Sequence, residues 1–413
     1  MARPLFTHPR RRTSKGAAVV EYAILLSLVG AVVLGTIFIT GGNIASLFST
    51  GQTAIANATG QTGGDGGNGG DTGDGGGTPT EELFYMTNGT ANTNRVCAHG
   101  THGGSPITYC WGNGANGTLG NGGTSSSSVP VVSALAGVVT DIHTTFTKTC
   151  AVVGTTLWCW GDTTMDLNTP TPAPAPYSYV NDVRRNAQSV GPYDCAALTD
   201  GSLACVDAGA YDTIDIPSGV FDVATAYLAG QCVLMVDRTV QCKGQNEIGS
   251  VGDAFTTIPG LADVDQLVGT SKSFCTLTGS TVACWGYAHD GRLGTGETVD
   301  RATPVVVPGA AGAIAIYAES TNDALCAGMP GGGALCWGYL PFGTDGAMIE
   351  VATPTAPPNW PGGTPLVGNG FICAALTTGG MRCMGEGADG ELGDGTTTTA
   401  TGEWRDVAFP PAP

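Results

Sequence analysis

Positive charge is scarce in this sequence. Of 413 residues only 16 are Lys or Arg, against 34 Asp or Glu, for a formal charge of −18. Five of the basic residues (Arg3, Arg10, Arg11, Arg12 and Lys15) fall in the first sixteen positions, which leaves 11 basic against 34 acidic residues in the remainder. A surface so acidic repels phosphate backbones and argues against nucleic-acid binding. Histidine is equally sparse, with His8, His99, His102, His143 and His289 alone. That weakens a zinc site or His-based catalysis. There is no GxSxG, no HExxH, and no carboxylate pair at an informative spacing. The chain therefore offers no catalytic residue, no metal site and no cofactor, and reads as a non-enzyme. Carboxylates from distant segments converging on one face would leave a hydrolase or lyase as a third reading.

Cysteine, by contrast, is plentiful and ordered. The fourteen cysteines fall into seven short-spaced pairs. They are Cys97–Cys110, Cys150–Cys159, Cys195–Cys205, Cys232–Cys242, Cys275–Cys284, Cys326–Cys336 and Cys373–Cys383. Six pairs are nine or ten positions apart and the first is thirteen apart. Their first members recur at intervals of 53, 45, 37, 43, 51 and 47 residues. A repeat of that length, with short strands and no helical pattern, predicts one propeller blade per unit. Within Cys150–Cys159, a two-residue turn at Gly154-Thr155 sets Val153 opposite Thr156 and Cys150 opposite Cys159. Gly at the first turn position suits a type II′ hairpin. The cysteines then fall on a non-hydrogen-bonded pair, where side chains approach most closely. Gly279-Ser280 does the same for Cys275–Cys284. Where the spacing is ten, three-residue loops end in Gly (Gly201, Gly332, Gly379), except for Arg238 in Val236-Asp237-Arg238. Metal binding would call for clustered CxxC pairs with His partners, which are missing. Seven disulfides place the chain in an oxidising compartment.

The first eighty residues differ in kind. Residues 1–16 form a basic leader, and Ala17–Ile39 is an apolar run broken only by Glu21. As a helix it would span about 35 Å, enough to cross a bilayer with the basic flank on the cytoplasmic side. Cleavage after Gly16 would free an α-amine on Ala17 to pair with Glu21 of a neighbouring chain, relieving an acid that is costly in lipid. The stretch Gly16–Tyr22, with the leader and the tail Gly42–Phe48, resembles the Flp-type (tight-adherence, type IVb) pilins over residues 10–56. The resemblance implies that a prepilin peptidase cuts between Gly16 and Ala17. It also implies that Glu21 and Tyr22 act in processing and assembly, other pilin subunits pack on the helix, and the inner membrane holds the precursor. Flp-type pilins usually end soon after this helix, whereas this chain runs on for more than 350 residues. A minor or tip subunit at a bacterial cell surface fits better than a shaft subunit. The alternative is a membrane-anchored envelope or pseudopilin-like protein that never polymerises. Residues 57–80 read as a Gly/Asp-rich flexible linker, with a reach of roughly 25 Å.

Residues 81–413 resemble regulator-of-chromosome-condensation repeats. The segments Cys110–Gly122, Cys284–Gly296 and Cys383–Gly395 carry the resemblance, which implies a seven-bladed β-propeller. In these loops Leu119, Leu293 and Leu392 are expected to plug the core, and the glycines to supply positive φ or close approach. Trp111, Trp160, Trp285 and Trp337 each follow a second cysteine and are expected to pack between blades. The middle repeats are degenerate, around Thr169–Pro176 and Cys205-Val206-Asp207. The sequence thus predicts a mainly β chain: a long N-terminal hydrophobic α-helix, a Gly-rich linker, and a seven-bladed propeller with one disulfide per blade. The propeller would bind a surface, glycan or protein ligand, for which no contact residue can be named. The sequons at Asn57, Asn88 and Asn116 are read as chance matches.

Overall fold

The computed structural model describes residues 83–412, apart from 93, 145–147, 155, most of 162–217, 227–229, 245–251, 319–322 and 345–346. The expected leader, hydrophobic helix and linker, with Gly16, Ala17, Glu21 and Tyr22, lie outside the described residues.

Seven four-stranded antiparallel sheets follow one another along the chain, each built from four consecutive strands. The first strands of neighbouring sheets lie side by side: Tyr85–Ala91 beside Val139–Thr144, Val220–Ala226 beside Gln266–Gly269, Gln266–Gly269 beside Ala315–Ala318, and Ala315–Ala318 beside Thr364–Val367. Thr364–Val367 then returns to Tyr85–Ala91, closing a ring with the first strands at its centre. Six of the sheets are complete blades with a described disulfide. The third is a slighter ladder, of Val180–Asp182, Asp194–Leu198, Leu203–Asp207 and Ala210–Asp212. Its Cys195 and Cys205 stand opposite each other in the register, but their bridge falls outside what is described. Seven blades with one disulfide each were expected, the middle ones degenerate; the structure gives six blades and this ladder. The reason is legible in the residues, since the third repeat has lost the Gly that stands two places after the second cysteine in the other six, leaving Val206-Asp207.

The hairpins form as the cysteine spacing requires. Val153 pairs with Thr156, Val152 with Leu157 and Cys150 with Cys159. Gly279 takes φ 59° at the first turn position, and Thr278 pairs with Thr281. The six bridged pairs have Cα atoms 4.0–4.1 Å apart, the close approach of a non-hydrogen-bonded pair. The longer spacing of Cys97–Cys110 comes from longer strands, not a longer loop: His102 pairs with Ser105 around Gly103-Gly104. Both glycines have positive φ, as a type I′ turn requires. Arg238, which breaks the glycine rule, adopts the left-handed conformation all the same, at φ 65°. Its guanidinium lies 4.9 Å from the centre of the Phe221 ring, a contact that offsets part of the backbone cost.

Strand direction sorts the loops onto two faces. One face carries the short hairpins between second and third strands, together with the blade-to-blade connections. The other carries the turns between first and second strands and the long loops between third and fourth. Strand Tyr85–Ala91 starts, and Ala400–Asp406 ends, on the hairpin face. Both ends of the propeller therefore leave from that face, and the long-loop face carries neither.

Candidate functional site

Among the described residues, three loops of one build lie on the long-loop face, over residues 113–126, 287–300 and 386–399. Each begins after the Gly of a Cys-Trp-Gly or Cys-Met-Gly segment and turns through a short tight bend. Asn116 and Asp290 sit at its left-handed position, with φ 61° and 60°. Asn and Asp tolerate that conformation better than other side chains. Each loop then drives its leucine inward: Leu119, Leu293 and Leu392 are fully buried. Burying each contributes about 1.5–3 kcal/mol.

The residue before each leucine holds the next blade. The indole N–H of Trp160 donates to the Thr118 carbonyl (2.9 Å), that of Trp337 to the Arg292 carbonyl (3.1 Å), and that of Trp111 to the Glu391 carbonyl (2.8 Å). The third bond joins the last blade to the first. After each leucine, Gly120, Gly294 and Gly393 lie flat against the same indoles; a Cβ there would stand 2.7–2.8 Å from ring atoms. Trp111, Trp160, Trp285 and Trp337 are all buried, which agrees with the inter-blade role expected of them. Trp285 packs differently, stacking on Phe274 at 5.7 Å.

Side chains at the position before the leucine tune each seam. Arg292 is buried and satisfied on every side. Its Nε donates to the His289 carbonyl (2.8 Å), Nη2 to Asp290 (2.8 Å), and Nη1 to Ser271 Oγ (3.0 Å) and Asp323 (3.0 Å). Sequence reasoning missed this cluster; the one available signal was a lone Arg in a loop otherwise made of Gly and small polar residues. Glu391 is the acidic counterpart. Burial holds its carboxyl above the ordinary value, and Asp389 and Glu386 add to the rise. Asp394 behaves oppositely: burial raises it, but bonds from Thr396 and Arg405 outweigh that and leave the carboxyl below its usual range.

What remains exposed on this face is acidic and small. Glu297 pairs with Arg301, half-buried Asp290 pairs with Arg292, and Glu386 is exposed. Tyr287 and the exposed His289 form an aromatic pair 5.9 Å apart, with the Lys272 ammonium 5.3 Å from the Tyr287 ring centre. Among the described residues no group of three or more His, Cys, Asp or Glu is arranged to hold a metal ion. No helix among them is long and apolar enough to cross a membrane. The described part of this face is built from close-packed loops that carry mostly acidic and small side chains.

No family model matches the chain, and no curated protein matches it by sequence. Solved structures do match. Yeast RCC1 (Prp20) bound to Kap60 aligns over 84% of this chain and 91% of its own, at 14% identity and TM-score 0.61. Prp20p from Saccharomyces cerevisiae, described with its binding to Gsp1p and histones, aligns over 79% and 87%, at 15% identity and TM-score 0.60. Human WBSCR16 aligns over 74% and 94%, at 15% identity and TM-score 0.61. None of these comparisons supports the pilin resemblance of residues 10–56. At such identities the likeness concerns the fold: the described part of the chain is a disulfide-bonded β-propeller similar to that of the regulator-of-chromosome-condensation proteins.

Proposed function

We propose that this chain is a displayed recognition protein, whose propeller is a rigid head that binds a protein partner through its long-loop face. The observation that carries this is topological. Both ends of the described propeller and its described blade connections lie on the hairpin face, and the long-loop face carries neither. Yeast RCC1, with the same fold, was solved bound to a protein, Kap60, which supports a protein ligand over a small molecule. The buried disulfides suit an oxidising, extracellular setting. The finer reading places the head on a tight-adherence-type pilus through Gly16, Ala17, Glu21 and Tyr22, as a minor or tip subunit. An envelope protein that never polymerises is the alternative.

Two measurements separate these readings. Mass spectrometry of sheared surface filaments should find the chain beginning at Ala17, and Glu21→Ala should remove it from the filament fraction. Recovery only in membranes, with residues 1–16 attached, would refute the pilus assignment and leave the recognition head intact. For the head, cells displaying Glu386→Lys on the loop face should adhere several-fold less than cells displaying Thr378→Lys on the hairpin face. The reverse ranking would sink the loop-face proposal.

A further inference from the structure

Five Asn-Gly steps lie among the described residues, at Asn88, Asn113, Asn116, Asn121 and Asn369. This dipeptide is prone to a self-reaction, because the unhindered Gly nitrogen can attack the Asn side chain. Four of the five are restrained. Asn88 sits in the first strand with its Nδ2 donating to the Thr140 carbonyl (2.8 Å), Gly114 N–H is bound by Ser126 Oγ (3.2 Å) and Gly117 N–H by the Gly114 carbonyl (3.1 Å). Gly370 is buried, and its Cα packs against the Glu386 carboxylate. Asn121 and Gly122 are both exposed, and Gly122 N–H makes no hydrogen bond within the described residues. In addition Asn121 Oδ1 accepts Gly123 N–H at 3.0 Å, which draws electron density from Cγ.

From this geometry we infer that Asn121 is a self-modifying position on the loop face. Gly122 N attacks Asn121 Cγ, the new N–Cγ bond forms, and the Cγ–Nδ2 bond breaks. The Gly122 amide proton leaves with the amine as ammonia. Solvent water then opens either side of the imide, giving an aspartate or an isoaspartate at position 121. The fold already accommodates the first product elsewhere. Asp394 occupies the same place in the last blade, and its Oδ1 accepts Thr396 N–H (2.9 Å) just as Asn121 accepts from Gly123. There the carboxylate also meets Arg405 at 3.1 Å, on the residue opposite Cys383. In the first blade the residue opposite Cys110 is Val131, so the new charge has no cation from that strand. The reaction adds an unneutralised negative charge to the loop face.

Peptide mapping of the intact native chain during mildly alkaline incubation tests the inference. Conversion at Asn121 should lead the other four described sites several-fold. The lead should vanish when the chain is reduced and denatured first, since all five share one dipeptide chemistry. Equal rates at Asn121 and Asn116 in the native chain, or a lead that survives denaturation, would overturn the proposal. Asn121→Asp should unfold thermally at the wild-type temperature; an earlier transition would contradict the claim that the loop accepts the product.

Discussion

His99 shows how one side chain couples the ring to pH. It is buried in the second strand of the first blade. Its Nε2 accepts the Val139 N–H of the second blade at 3.1 Å, so the ring proton sits on Nδ1 and is donated to Thr108 Oγ1 at 2.8 Å. Burial lowers its pKa from 6.5 to about 4. A proton on Nε2 would face an N–H donor across a blade seam. Above pH 6.5 the ring is neutral in both folded and unfolded chains and has no effect on pH dependence. As pH falls from 6.5 towards 4, the unfolded chain binds a proton that the folded chain refuses. Stability should drop across that window by roughly 3 kcal/mol and then level off. Urea titrations at pH 7.5 and pH 4.5 should show the loss in wild type and much less of it in His99→Gln. An equal loss in both would place the proton elsewhere.

Elements in this protein are defined by glycine as much as by strand. Gly294 and Gly279 have similar positive φ, 69° and 59°, but different surroundings. A Cβ on Gly279 meets nothing within 4 Å, whereas one on Gly294 stands 2.8 Å from the Trp337 indole. Gly279→Ala should therefore cost only the left-handed backbone, about 1–2 kcal/mol. Gly294→Ala adds overpacking against Trp337 and should cost about 2–5 kcal/mol. Denaturant midpoints of the two variants check this, and equal losses would remove the indole contact from the account. The same contrast shows what the sequence could and could not reveal. Hairpin registers around Cys150–Cys159 and Cys275–Cys284 were readable, because side-chain spacing and turn glycines encode them. The buried Leu119, Leu293 and Leu392 were readable from repeat position. The acceptors of the Trp N–H groups were not, since a backbone carbonyl carries no residue signature. The slighter third sheet was readable in part: its cysteine pair matches its neighbours, while Val206-Asp207 lacks the Gly that follows the second cysteine by two places in the other six repeats.

At the scale of the whole ring, the seams are not equivalent even where their contacts match. The first and second blades are joined by the Trp160–Thr118 bond and also by the chain between them. The last and first blades share the same bond, Trp111 to Glu391, but no covalent link. Closure there rests on non-covalent contacts alone. Phe409 packs on Phe84, with ring centres 4.6 Å apart, and edge-on to Tyr109 at 5.3 Å. Gly380 N–H also donates to the Phe84 carbonyl at 2.6 Å. Opening this seam turns a ring into a horseshoe whose ends are free to separate. Opening any other leaves the two blades tied by a short connection, which limits the entropy gained. Replacing Trp111 by Phe leaves the buried Glu391 carbonyl without its indole donor, about 1–3 kcal/mol, whereas in Trp160→Phe the Thr118 carbonyl keeps the Thr149 hydroxyl as a donor at 3.2 Å. Global stability should therefore fall at least as far in Trp111→Phe as in Trp160→Phe, and local opening should separate the two. Native-state hydrogen exchange should show protection lost along Tyr85–Ala91 and Thr364–Val367 in Trp111→Phe, well below the global limit. Trp160→Phe should lose protection only to the extent that the whole ring does. If both variants opened locally to the same degree, the covalent connection between blades would be irrelevant, and the last-to-first seam would be no weaker than the rest.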